Sequence, residues 1–163
     1  MAYDFFGIPV SELNVWLIWI LPFAAAMIIP AVGKFSKLTT GRVAVAFAAM
    51  SAISAATLFP MALQAHEIHH QIMWIDAIGL KAGVLADPLS VIMANVVGWI
   101  SFLIMCYSTG YMKGDKDITR FWFWMMFFIG SMQLIILSDN LLQVFFGWEG
   151  VGLASYALIS FWY

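Results

Sequence analysis

Between Asp87 and Lys113 the chain runs for 25 residues without an aspartate, glutamate, lysine or arginine. A helix needs about 20 apolar residues to cross the hydrocarbon core of a bilayer. Such a run has few folds open to it, because in lipid every backbone N–H and C=O must be satisfied within the structure, and a single helix does that for its own segment. Val15–Val32, Val43–Leu63 and Phe121–Leu137 are also charge-free, and Leu141–Tyr163 is interrupted only by Glu149. With 64% hydrophobic and 10% charged residues, the composition lies far from that of a soluble domain. The expected fold class is an all-α membrane protein, a single transmembrane domain over residues 1–163. Its helices fall at about 15–32, 43–63, 88–112, 121–137 and 141–163.

Local signals set the helix ends. Asp87-Pro88 reads as a cap followed by a first-turn proline, Thr39 and Thr40 as caps for the second span, and Pro60 as its bend or end. Ser138-Asp139-Asn140 reads as a tight turn that caps the fifth span, making the last two spans an antiparallel hairpin. The only sizeable polar connection is Gln64–Asp87, in which Ile72–Ile78 and Leu80–Leu85 pair weakly as a short hairpin about Gly79. Lysine and arginine alternate between loops: Lys34, Lys37 and Arg42, then Lys81 alone, then Lys113, Lys116 and Arg120. The positive-inside rule then places the amino terminus outside. The chain stops at Tyr163 with no polar segment after the last helix, so it reads as the amino-terminal portion of a longer protein.

Several functions are excluded. The seven basic residues form no stripe, so nucleic acid is not a partner. One cysteine, Cys106, cannot supply a disulfide or an iron–sulfur ligand set, and no dinucleotide, P-loop or serine-nucleophile motif is present. The chain thus shows no redox site, no cofactor-binding residues and no recognisable metal site of its own.

Glu149 is what apolar packing leaves unexplained. An acidic side chain at a membrane-helix centre costs roughly 2.5–3.5 kcal/mol, against an upper bound of about −3 to −6 kcal/mol from the leucine, isoleucine, phenylalanine and valine residues of its span. Its helical neighbours are Leu142, Phe145, Phe146, Gly152, Leu153 and Tyr156, with no cation among them. Gly147, Gly150, Gly152, Ala154 and Ser155 permit close helix approach or a local distortion that admits water. A carboxyl poised between an apolar setting and a cationic partner can load and release a proton, so Glu149 is the candidate relay; structural hydrogen bonding across a helix interface is the alternative.

His66-Glu67-Ile68-His69-His70 satisfies the H-E-x-x-H pattern of zinc proteases, with Asp76 and Asp87 available as a third ligand. A solvated histidine cluster at headgroup level accounts for it better. Helix capping is the favoured role for Asp139 over an ion-admitting one. Lys113–Asp117 reads as a solvated turn, with Arg120 snorkelling to headgroups.

Ala86-Asp87-Pro88-Leu89-Ser90, Tyr107-Ser108-Thr109-Gly110-Tyr111-Met112, Arg120-Phe121, Asp139-Asn140-Leu141-Leu142 and above all Gly147-Trp148-Glu149-Gly150-Val151-Gly152-Leu153-Ala154-Ser155-Tyr156 resemble the largest antiporter-like membrane subunit of respiratory complex I. This is subunit L of NADH:quinone oxidoreductase, with relatives in archaeal F420H2 dehydrogenase. The resemblance covers roughly Gly83–Tyr163. It implies that Glu149 is the fifth-helix glutamate that pairs with a lysine on a later helix, absent here, and relays protons. It further implies a proton-translocating subunit in a prokaryotic cell membrane or the mitochondrial inner membrane, with other membrane subunits as partners. Quinone, flavin and iron–sulfur clusters would then reside in those partners. A multisubunit sodium/proton antiporter subunit shares the fold, an intramembrane zinc protease would use His66, Glu67 and His70, and a structural scaffold would use none of these.

Overall fold

The computed structural model describes residues 4–5, 8–64, 66–76 and 79–162. Two short strands, β1 (Asp4–Phe5) and β2 (Ile8–Pro9), pair antiparallel and lead into the first helix. The helices are α1 (Val10–Gly33), α2 (Lys37–Thr57), the single turn and a half of α3 (Phe59–Leu63), α4 (Pro88–Tyr111), α5 (Ile118–Leu137) and α6 (Leu141–Ile159). Between α3 and α4 an antiparallel hairpin is formed by β3 (Ile68–Ile75) and β4 (Leu80–Ala86). Among the described residues, five helical stretches are long and apolar enough to cross a membrane, α2 and α3 counting as one. The chain is a multi-pass, all-α membrane protein.

Helices begin before their charge-free cores. α1 starts at Val10, takes in Glu12, and continues through Pro22 and Pro30 to Gly33. α2 starts at Lys37, and its cap is Ser36, whose side chain accepts from the Thr39 N–H at 3.4 Å. Thr39 and Thr40 are therefore inside the helix, and the Thr40 hydroxyl donates back to the Lys37 carbonyl at 2.6 Å. The basic first turn of α2 belongs to the headgroup level, where long cationic side chains leave the helix without ending it. At the other end α2 stops at Thr57, and Pro60 occupies the first turn of α3. Asp87 caps α4 as its sequence indicates, with Asp87 accepting from the Ser90 N–H at 2.7 Å and the Ser90 hydroxyl accepting from the Asp87 N–H at 2.8 Å.

α1, α2, α4 and α5 form the central bundle, α1 packing on α2 and α5, and α2 on α4; α6 is added on the flank of α5. Lipid supplies no hydrophobic drive between helices, so close approach depends on small residues. Ala44, Ala48, Ala52 and Ala55 form a buried stripe on α2, and a Cβ at Gly98 of α4 would stand 3.3 Å from the Ala52 Cα. Trp122, Met105, Met126 and Ile29 fill the basic end of the bundle; Val15, Ile18, Leu137 and Val84 fill the end beneath the hairpin.

The hairpin pairs Ile68 with Ala86 and His70 with Val84, and Gly79 takes a positive φ of 66° at its turn. It therefore begins four residues before the expected Ile72; residues 77 and 78 of the expected first strand lie outside the described residues. Ile68, Val84 and Ala86 reach into the apolar core, which seats the hairpin on the helix ends.

Candidate functional site

Glu149 is the ninth residue of α6, about 12 Å along the helix from Leu141. Asn140 starts that helix, its side-chain oxygen accepting from the Gln143 N–H at 3.0 Å. Gly147, Gly150 and Ala154 turn one face of α6 against α5. A Cβ at Gly147 would stand 2.7 Å from Ile135 Cγ1 and 3.0 Å from the Ser131 carbonyl oxygen, and a Cβ at Gly150 would overlap the Ser131 hydroxyl. The small residues on this face thus bring two backbones together.

That packing puts Glu149 on the opposite, exposed face, beside Leu142, Phe145, Phe146, Leu153 and Tyr156. Gly152 lies on the same side, and a Cβ there would meet no atom within 4 Å. The expected small-residue contact therefore divides: Gly147, Gly150 and Ala154 pack, and Gly152 opens the glutamate's face. Among the described residues Glu149 forms no salt bridge. A mid-span carboxyl with an aromatic surround and a glycine gap beside it is placed to meet a group from outside these residues.

The histidine segment does not form a zinc-protease site. His66 precedes β3 and His70 lies within it, whereas the H-E-x-x-H pattern brings its two imidazoles to one metal on a helix. His70 instead accepts from the Trp16 indole N–H through Nδ1 at 3.1 Å, and its Nε2 lies 3.6 Å from a Glu12 oxygen. The described residues contain no group of three histidine, cysteine or carboxylate side chains able to hold a metal.

Asp139 is not the cap of α6; Asn140 is. The Asp139 carboxylate, with only 2% of its side chain exposed, accepts from Gln71 Nε2 at 2.6 Å, from His69 Nε2 at 3.1 Å and from Asn140 Nδ2 at 2.7 Å. Burial pushes this carboxyl up, and the hydrogen bonds from Gln71, His69 and Asn140 outweigh it, holding it below the ordinary carboxylate range. Gln143 completes the junction, its Oε1 accepting from the Gly83 N–H at 2.8 Å. These contacts tie the hairpin to the start of the helix that carries Glu149. No sequence pattern marks the pairing, since its partners lie some 60 to 70 residues apart.

Arg120 likewise does more than snorkel. Its Nη2 donates to the Phe161 carbonyl at 3.0 Å, and its guanidinium lies 4.8 Å from the centre of the Phe161 ring. Both ends of α6 are therefore held, leaving the middle of the helix to present the glutamate.

Residues 73–122 match the sequence profile of the family described as NADH-ubiquinone oxidoreductase (complex I), chain 5 N-terminus. The chain is 40% identical over 152 residues to NADH-quinone oxidoreductase subunit L of Rickettsia bellii, covering 90% of this chain and 24% of that one. It is 37% identical over 156 residues to the Mycobacterium tuberculosis subunit of the same name, covering 91% and 24%. It is 36% identical over 149 residues to NADH-ubiquinone oxidoreductase chain 5 of Dictyostelium discoideum, covering 88% and 22%. The chain spans about a quarter of the length of these curated relatives. Over the residues it spans, the chain is similar to complex I subunit L and chain 5.

Proposed function

We propose that the chain is the amino-terminal part of a proton-translocating membrane subunit of a respiratory NADH:quinone oxidoreductase, or of an F420H2-dependent relative, and that Glu149 is its proton relay. The observation that carries this reading is the exposed, unpaired position of Glu149 at mid-span. A carboxylate there is costly unless a cation, water or an ion path meets it. The groups that meet it come from the rest of the protein or from partner subunits. Electron transfer at flavin, iron–sulfur and quinone sites in those partners changes the charge near Glu149. The glutamate then exchanges a proton between the two sides without itself taking part in redox chemistry. The positive-inside rule, applied to the basic starts of α2 and α5, supports an orientation with the hairpin and the amino terminus outside.

The test is proton translocation in everted vesicles carrying the intact complex. Glu149→Gln keeps the shape of the side chain and removes its proton exchange. It is expected to abolish proton pumping while the complex assembles and its redox centres are retained. An assembled variant that pumps normally overturns the reading, and a sodium requirement would favour an antiporter subunit.

A further inference from the structure

A second site lies at the opposite end of the bundle from the hairpin. A cavity of about 750 Å³ opens between the start of α2 and the α4–α5 turn. Four cations line it, Lys37, Arg42, Lys113 and Lys116, against one carboxylate, Asp115. That carboxylate is already engaged: one oxygen accepts from the Asp117 N–H at 2.8 Å and the other from the Trp162 indole N–H at 3.1 Å. Lys37 gives one of its three donors to the Lys116 carbonyl at 2.6 Å, which fixes its ammonium at the cavity wall. Arg42, Lys113 and Lys116 form no salt bridge among the described residues.

The wall also holds an orphan donor. Trp122 is wholly buried and lines the cavity, and its indole N–H has no acceptor among the described residues. That nitrogen stands 3.2 Å from where a Cβ of Gly41 would lie, and Gly41 lines the same cavity. Leu38 and Ile118 add an apolar rim.

We propose that this cavity binds the phosphate headgroup of an anionic phospholipid. The chemistry is complementary on three counts. Lysine and arginine meet a phosphodiester charge, a buried N–H calls for an oxygen acceptor, and the aliphatic rim at the end of membrane-crossing helices suits the first carbons of acyl chains. Basic pockets between membrane helices at headgroup level are the usual form of such sites. The lipid would bridge α2 to the α4–α5 turn and fix the basic end of the bundle.

The test uses the protein in its native membrane assembly, purified in mild detergent and reconstituted into phosphatidylcholine vesicles containing a photoactivatable phosphatidylglycerol. Peptides from the start of α2 and the α4–α5 turn are expected to be labelled, with unlabelled phosphatidylglycerol competing and phosphatidylcholine not. Each cation lost near a membrane surface lowers affinity roughly fivefold, so Arg42→Gln with Lys113→Gln is expected to reduce the labelling about twentyfold or more. The charge-preserving pair Arg42→Lys with Lys113→Arg retains it and shows that the assembly is intact. Displacement by inorganic phosphate alone, protection of the site by an acidic segment of another polypeptide, or labelling indifferent to both substitutions would overturn the proposal.

Discussion

Asp139 shows how a residue's surroundings decide its task. Its position in Ser138-Asp139-Asn140 suggests a cap, and the sequence holds nothing to distinguish it from Asn140. Folding assigns the capping to Asn140 and turns Asp139 toward Gln71 and His69 of the hairpin. Because its carboxyl is held below the ordinary value, the stability it contributes is fully present above the ordinary aspartate value of about 3.9. It is lost as the pH falls from there through the lowered one. The protection factors of the β3–β4 amides, taken against their intrinsic exchange rates, are expected to fall over that acid range in the native protein. In Asp139→Asn the loss of protection should already be present at neutral pH, while the α4 amides remain protected in both. Glu149, by contrast, stood out in the sequence as the one acid within an apolar span. What could not be read was that its helix would turn it away from the bundle, since that depends on which face the glycines give to α5.

At the scale of elements, the five spans, the α5–α6 hairpin and the Asp87 cap were legible because each rests on local pattern: length, apolar content and turn chemistry. The misplaced starts of α1 and α2 share one cause. Counting charge-free residues stops at the first ionic side chain, whereas Glu12 lies in the first turn of α1 and Lys37 and Arg42 lie in the first two turns of α2. Removing the cap box through Asp87→Ala is expected to cost about 1 kcal/mol of stability, read from the thermal unfolding of the solubilised protein. A larger penalty is expected at Gly147, where an added side chain meets the backbone of α5 at Ser131 and Ile135. Gly147→Leu should destabilise the α5–α6 pair by roughly 1–3 kcal/mol.

For the whole molecule, the asymmetry between the two sides of α6 is the organising feature. One side is closed against α5 by Gly147, Gly150 and Ala154. The other carries Glu149 among exposed aromatic residues, with Gly152 leaving open space on the same side. The chain spans about a quarter of its relatives' length, and the proposed function requires that the remainder, or a partner, cover that second side. Gly152→Cys, made in a Cys106→Ser background, is therefore expected to resist a membrane-permeant maleimide in the intact assembly and to react after denaturation. The most direct measurement is the infrared difference spectrum of the intact complex between its oxidised and reduced states. If Glu149 takes up and releases a proton during turnover, the spectrum contains a carboxyl band that is missing from assembled Glu149→Gln. A spectrum left unchanged by that substitution would contradict the relay.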